Sequence, residues 1–442
     1  MVRHYYMRRG SNVADLRVNL MDKGYREQQS HALGMRLRAG LLALQRSGAR
    51  IKLVEMPPGP PVLSSIVAEI YGTPRHTYAD LVAAAGEVEA RLRRHGGVVD
   101  VDSVVEDPQP RWAFEVDREK AGLSGISVAD VAATLRLALS GERTGLVHMP
   151  HERNELAIEL RLPEPSRSSI GDLERILIKG RDGTVVQLGE LGRFGESTAE
   201  QTIYRKNLER VVYVTAEAAG VGPAYPVLGM IDELGEDPLP AGIRVDWAGE
   251  GEWKITLDVF RDLGIAFLAA LVGIFVLLTY ETRSYVLPLI IMISIPLTMI
   301  GIMPGFWILN LFAGGEVGGY SDQIFFTATA MIGMIALAGI VVRNSIILID
   351  FIRHALAEGR PMREAIVESG AVRARPIFLT AATALLGAWP ITLDPIFSGL
   401  AWSLIFGLVV STVFTMVIIP AVFFLIYEGR TMESVTADES VQ

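Results

Sequence analysis

The sequence predicts an α+β membrane protein: residues 1–250 alternate strands and helices, and the remainder forms five transmembrane helices. Charge distribution is the first reason. Residues 1–250 hold 31 of the 41 Lys and Arg and 35 of the 50 Asp and Glu. The second is a set of uncharged apolar runs at 263–280, 284–315, 323–342, 376–393 and 395–427, each near or beyond the roughly 20 residues that a span requires. The third is that apolar spacing in the first half switches between the strand period and the helix period.

Taken in order, residues 15–22 read as extended, 26–46 as a helix closed by Gly48, and 50–56 as extended before a Pro-rich break at 57–61. Residues 64–71 read as a strand. Tyr78, Leu81, Val82, Ala85, Val88 and Leu92 follow at helical spacing, with Thr77 as N-cap and Gly96-Gly97 as the stop, and 98–105 returns as a strand. Both units are strand–helix–strand, the pattern of split βαβ, ferredoxin-like sheets. Residues 111–195 differ in texture. They contain a helix capped by Ser127, with Asp130 in its first turn and Val128, Val131, Leu135 and Leu139 on one face. Short strands are expected around 153–162, 176–179 and 185–188. Extended 211–216, helical 225–234 and extended 243–247 complete the second βαβ unit, which makes 111–195 an insertion within it.

The apolar runs place helices near 257–280, 284–304, 324–351, 376–394 and 400–427, with 304–319 as a Gly-rich loop and 395–399 as a tight turn. The connection 352–375 carries Arg353, Arg360, Arg363, Arg373 and Arg375, whereas 305–323 and 394–399 have no Lys or Arg. The positive-inside rule then puts the C-terminus in the cytoplasm and residues 1–250 on the far side. Residues 1–20 lack the apolar core of a signal peptide, so nothing before Leu263 would start export of that region. The chain therefore reads as a piece of a longer protein, or as one from which an earlier hydrophobic helix has been lost.

A net charge of −9 without a basic block argues against a nucleic-acid partner. The absence of Cys removes disulfides, thiol nucleophiles and thiolate metal sites. His148, His151 and Glu152 form an HxxHE cluster that reads as a solvated turn rather than a metal site. Gly220-Val221-Gly222 lacks the third glycine of a dinucleotide loop, and no P-loop or Ser/His/Asp arrangement occurs. The reading is of a non-enzyme with no cofactor and no metal.

Arg343 stands out on physical grounds alone. It lies about 12 Å along the helix axis from Phe351, at a depth where a cation costs at least ~2.5–3.5 kcal/mol. Thr329, Ile332, Ala336, Gly339, Arg343 and Asp350 share one stripe, and its small members invite close approach of another helix. Asp350 is the one acid within the apolar body of a span, seven residues away and out of reach of a relaxed direct pair. Pairing with a carboxylate from another helix, snorkelling to the cytoplasm and a contact with Asp350 all stay open.

The stretch 333–350, Gly333-Met-Ile-Ala-Leu-Ala-Gly-Ile-Val-Val-Arg-Asn-Ser-Ile-Ile-Leu-Ile-Asp350, resembles the resistance–nodulation–division (RND) transporters, in their hydrophobe/amphiphile (multidrug) efflux branch. Arg373-Ala-Arg-Pro-Ile-Phe-Leu-Thr380, Asp394-Pro-Ile-Phe397 and Val116-Asp-Arg-Glu-Lys-Ala-Gly-Leu123 support the resemblance, which covers nearly the whole chain but only the C-terminal half of a member. It implies periplasmic porter subdomains at 1–62 (partial) and at 63–107 with 199–249, and a docking subdomain at 108–198. A five-helix membrane domain at 250–430 and a cytoplasmic tail at 431–442 would follow. It also implies a bacterial inner-membrane homotrimer that takes small amphiphilic substrates and works with a periplasmic adaptor (membrane fusion) protein and an outer-membrane channel. Members carry a Lys at the position of Arg343, followed by Asn as at Asn344, and that Lys pairs with two acids on a helix of the N-terminal half. Arg373 and Thr380 match further relay positions, and Asp350 is grouped with them. Tyr5 and Tyr6 fall near an aromatic cleft loop that would contact substrate. The acidic pair has no counterpart here, so the chain is expected to be inactive without the missing N-terminal half. A non-transporting truncated fragment and a protein-export accessory subunit of the same superfamily remain alternatives. Heavy-metal export is disfavoured, because Met21, Met35 and Met56 are widely spaced.

Overall fold

A computed structural model describes residues 13–22, 25–26, 28–44, 49–55, 62–151, 153–394 and 396–428. The chain divides into two compact units, one of residues 105–202 and one of the remainder.

The larger unit opens with helix α1 (Ser30–Leu44), strand β1 (Ile66–Gly72), helix α2 (Tyr78–Leu92) and strand β2 (Val98–Ser103). Thr77 and Asp80 close a reciprocal capping box at the start of α2, worth about 1 kcal/mol. The apolar face of α2, with Leu81, Ala85, Val88 and Leu92, is fully buried.

The smaller unit runs β3 (Pro110–Val116), α3 (Arg118–Leu123), α4 (Val128–Leu139), β4 (Glu142–Val147), β5 (Leu156–Leu160), α5 (Ile170–Glu174), β6 (Leu177–Lys179), β7 (Val185–Gln187) and β8 (Gly192–Thr198). Its strands pair as antiparallel ribbons, β3 with β8, β4 with β5 and β6 with β7. Ala121, Ile126, Val131, Ile178, Leu188 and Leu191 form its core. Asp117 caps α3 by accepting the Glu119 and Lys120 amides, and Ser127 with Asp130 caps α4 by the same box as α2.

The larger unit resumes with β9 (Arg205–Lys206), β10 (Glu209–Ala218), α6 (Ala224–Glu236) and β11 (Ile243–Asp246). The sheet order is β11-β1-β10-β2, and every neighbouring pair is antiparallel. The four strands and two helices thus follow a βαββαβ path that brings chain segments more than a hundred residues apart into one sheet. The six residues Ile66–Tyr71 of β1 are buried, as expected of a central strand covered on both faces.

The membrane part comprises α7 (Glu252–Thr282), α8 (Val286–Met292), α9 (Ser294–Ala313), strands β12 (Gly315–Val317) and β13 (Tyr320–Asp322), α10 (Ala328–Ala357), α11 (Met362–Ala388) and α12 (Ser398–Tyr427). Among the described residues five helical stretches are long and apolar enough to cross a membrane, with α8–α9 together forming one. α12 packs along α9 and α10. A Cβ at Gly333 would overlap Ser403 and the Leu400 carbonyl, and one at Gly305 would overlap Phe406, so both crossings depend on the missing side chains.

Several sequence expectations are corrected. Residues 304–319 are not a loop: α9 continues through Pro304 to Ala313, and a hairpin turning at Gly318-Gly319 follows. The uncharged run explains this, because a lipid environment favours continued helix even through proline when neighbours re-satisfy the backbone. The basic connection shrinks to residues 358–361, since Arg353 lies within α10 and Arg363, Arg373 and Arg375 lie within α11. The described parts of 15–22 and 50–56 are not strands. Residues 50–53 meet β2 and β10 through side chains at Asp100, Asp102 and Thr215, but no strand ladder includes them, and extended chain without a ladder partner is not a β-strand.

Candidate functional site

Helix α10 turns one face inward and leaves the other uncovered. Leu337, Ala338, Val341, Val342, Asn344 and Ser345 are buried within the bundle. Ile332, Ala336, Gly339, Arg343 and Asp350 form an exposed stripe, and no atom among the described residues lies within 4 Å of where a Gly339 Cβ would stand. Thr329 departs from this stripe: it is half-buried, and its hydroxyl meets that of Thr327 at 2.9 Å. Arg343 and Asp350 therefore share one open face, while Asn344, one residue on, is 3% exposed and faces the core. Neither Arg343 nor Asp350 has an ion-pair partner among the described residues.

Helix α11 brings Arg373 to α10 by another route. Its guanidinium carbon lies 5.2 Å from the centre of the Phe351 ring, a cation–π contact next to Asp350. Its Nε is buried without a hydrogen-bond partner among the described residues. Thr380 is exposed, and its hydroxyl donates to the Ile377 carbonyl at 2.9 Å. Tyr5 and Tyr6 lie outside the described residues. His148 and His151 are exposed on the connection between β4 and β5, and Glu152 lies outside the described residues.

A second feature sits where the soluble sheet meets the membrane helices. The hairpin β12–β13 packs against Gly220, whose positive φ and missing side chain let Ser321 approach. Between α1, the end of β10, the first residue of α7 and the chain leading into α10 is a cavity of about 320 Å³. Glu217 and Glu252 stand on its wall with His31, Glu55, Arg38 and Asp322. Ser64 Oγ donates to Glu217 Oε1 at 2.6 Å, and the Ser65 hydroxyl and amide donate to Oε2. Burial nonetheless pushes the Glu217 carboxyl above the usual carboxylate range, the serine bonds offsetting it only in part.

His31 Nδ1 lies 3.0 Å from Glu55 Oε1, tying α1 to the segment 49–55. The hydrogen bond to Glu55 raises the His31 pKa above its ordinary 6.5, with burial opposing. A raised value means the pairing is complete below 6.5 and is lost as pH climbs through the raised midpoint. The His31 ring resonances are accordingly expected to titrate above 6.5, and Glu55→Gln to bring the midpoint down. NMR titration of the full chain checks this, and an unmoved midpoint would remove Glu55 as its cause.

The charged stripe was legible from helical spacing. The cavity was not, because its walls come from six separate stretches with no local motif. The one sequence signal on it was Gly220-Val221-Gly222, which lines the cavity where the hairpin docks.

The profile of the AcrB/AcrD/AcrF family matches residues 3–427. Swarming motility protein SwrC of Bacillus subtilis is 27% identical over 84% of this chain and 34% of its own length. Nickel-cobalt-cadmium resistance protein NccA of Alcaligenes xylosoxydans is 28% identical over 82% of this chain and 33% of its own. Multidrug resistance protein MdtC of Erwinia amylovora is 26% identical over 74% and 31%. The crystal structure of a heavy metal efflux pump superposes with a TM-score of 0.66 at 25% identity, covering 82% of this chain and 35% of that one. The chain thus spans about a third of the length of the relatives it matches.

Proposed function

The chain belongs to the AcrB/AcrD/AcrF family of resistance–nodulation–division permeases, and on that premise we propose that it acts as the C-terminal half of a proton-coupled efflux permease. Five apolar helices and the family fit a multi-pass inner-membrane protein. In the proposed arrangement residues 1–250 are periplasmic, the C-terminus is cytoplasmic, and the assembled permease exports amphiphilic compounds as a trimer with an adaptor and an outer-membrane channel.

The observation that carries this reading is the open stripe of α10. A helix buried on one face by its own chain presents a cation, an acid and small residues on the other. Such a face suits a helix from another polypeptide segment that supplies a carboxylate opposite Arg343. A guanidinium is a fixed charge in proteins, so this residue type anchors while an opposing acid titrates. Protonating that acid removes the attraction and lets the two halves shift. Arg373, stacked on Phe351 beside Asp350, holds a second positive charge near the same face. Asn344, one residue on from Arg343, is buried within the bundle and turned away from that open face.

The names of NccA and of the heavy metal efflux pump favour a second reading, export of divalent metal cations. The test is co-expression of this chain with a half that carries seven spans and an intramembrane acidic pair, in a host lacking its own pumps. Reduced accumulation of an amphiphilic dye is expected. Gained tolerance to Co²⁺, Zn²⁺ or Cd²⁺ without an effect on the dye would move the assignment to the second reading. No effect on either, with the complex assembled in the membrane, would overturn both.

A further inference from the structure

Ser64, two residues before β1, has one hydroxyl proton and two acceptors. Its Oγ lies 2.8 Å from the Ala216 carbonyl oxygen and 2.6 Å from Glu217 Oε1. A carbonyl and an ionised carboxylate both only accept, so with Glu217 ionised the hydroxyl serves one contact and leaves the other without a proton. With Glu217 protonated, its Oε1–H donates to Ser64 Oγ, and Ser64 donates on to the Ala216 carbonyl. Both contacts are then filled, while Oε2 still accepts from the Ser65 hydroxyl and amide. The neutral acid is the state that completes this network.

The charges around Glu217 favour the same state. Glu252, the first residue of α7, stands on the same cavity wall, and its carboxylate has no hydrogen-bond or ion-pair partner among the described residues. The two carboxylates are near enough to repel when both are ionised. The cations on that wall are engaged elsewhere, Arg38 with Asp100 and His31 with Glu55, and Asp322 adds a further negative charge. Ser65 joins the two acids. Its hydroxyl and amide hold Glu217, and its carbonyl accepts the Glu252 amide at 3.2 Å. Gly251 sits against the same segment, where a Cβ would come within 3.1 Å of the Val67 nitrogen. This attachment matters to α7, because Leu278 is the one buried residue among its 31. Glu252 precedes the apolar run that begins at Leu263 by 11 residues, about 16 Å of helix. The junction therefore stands clear of the hydrocarbon, where aqueous protons reach it.

We propose that Glu217 is a proton-operated latch between the soluble sheet and α7. Protonated, it completes the chain through Ser64 to Ala216 and holds the start of α7 on the sheet through Ser65. Without its proton it confronts Glu252 as a second negative charge and releases that start. Acid on this side of the membrane thus fixes the helix to the sheet, at a place separate from the α10 stripe. The sign agrees with the effect of burial, which raises the Glu217 pKa above its ordinary 4.5: docking is complete below that value and weakens as pH climbs through the raised midpoint.

The test uses the purified full chain in detergent, titrated from about pH 4 to about pH 9, the range that carboxyls in proteins cover. Infrared difference spectra are expected to show the C=O stretch of a neutral carboxylic acid persisting above pH 4.5, and Glu217→Gln should remove it. Amide exchange at Glu252, corrected for its intrinsic pH dependence, should be roughly tenfold faster on the alkaline side of the same transition. Glu217→Gln offers an amide donor to Ser64 and an acceptor to Ser65, so exchange in that variant should stay slow throughout. Glu252→Gln changes a side chain without partners among the described residues, and it should move both transitions to lower pH. A missing neutral-acid band, or one that Glu217→Gln leaves in place, would overturn the proposal. So would exchange at Glu252 that ignores pH in the unaltered chain, or a midpoint unmoved by Glu252→Gln. Both readouts are taken on this chain alone, so their failure is distinguishable from failure of efflux in the co-expressed permease.

Discussion

Replacing Arg343 by alanine is expected to reduce efflux by the assembled permease to the level of the empty host while leaving its membrane abundance unchanged. A guanidinium on a membrane helix costs at least ~2.5–3.5 kcal/mol by insertion scales, and Arg343 stands on a face that no helix among the described residues covers. Removing it should not destabilise this bundle, because the buried side of α10 is built from Leu337, Val341, Asn344 and Leu348 and is untouched. What is lost is the fixed charge that distinguishes the protonated from the ionised state of an opposing acid. Without it, protonation changes no inter-helix attraction, and proton entry no longer biases the conformation.

Two companion variants make the experiment decisive. Arg343→Lys keeps the charge on a shorter, rotatable head and is expected to retain partial efflux. Asp350→Asn probes whether the acid on the same stripe is the partner. Seven residues of helix separate them, about 10 Å of rise, so loss of efflux in Arg343→Ala with retention in Asp350→Asn is the expected pattern. The readout is dye accumulation normalised to membrane abundance in the co-expressed permease. Efflux retained by Arg343→Ala would remove the residue from the coupling mechanism.

What could be read in advance followed the physics of each signal. Uncharged runs marked all five spans, because the cost of a charge in lipid is large and local. The α10 stripe was legible since its period is that of the helix itself, and the structure leaves Ile332, Ala336, Gly339, Arg343 and Asp350 uncovered. Boundaries failed where two signals competed. Pro304 and its neighbouring glycines looked like a break, but the apolar run around them decided for helix. The arginines of 352–375 looked like a connection, yet long basic side chains extend from helix ends toward the interface. Pairing is the part no local pattern encodes. Residues 15–22 look extended in isolation, whereas β1 becomes a central strand only because β10 and β11 return to it from far along the chain.

Replacing Lys206 by methionine is expected to destabilise the β1–β10–β11 sheet by about 3 kcal/mol, at the lower end of the range for orphaning a buried charge. Glu69 on β1 is fully buried, and Lys206 donates to its two oxygens at 2.7 and 2.9 Å. Tyr71 donates a third bond at 2.6 Å, and Glu250 meets the same ammonium at 3.2 Å. Burial and the hydrogen bond to Glu69 push the Tyr71 phenol far up, so it remains a donor throughout the accessible pH range. Attraction to Glu69 and Glu250 outweighs the effect of burial and raises the Lys206 pKa above its ordinary 10.5. Its contribution is therefore complete below that value and lost only as pH rises through the raised one, so a measurement at neutral pH sees all of it. Methionine keeps much of the side-chain bulk and removes the charge, leaving Glu69 with the tyrosine alone in a site where its carboxylate is poorly solvated. Amide exchange of β1 and β10 in the full chain should accelerate roughly a hundredfold, since each 1.4 kcal/mol is about tenfold. Adding Glu69→Gln to Lys206→Met should recover part of the loss, because the orphaned charge goes with it. A double variant no better than Lys206→Met would show that packing of the lysine stem, and not its charge, holds this sheet together.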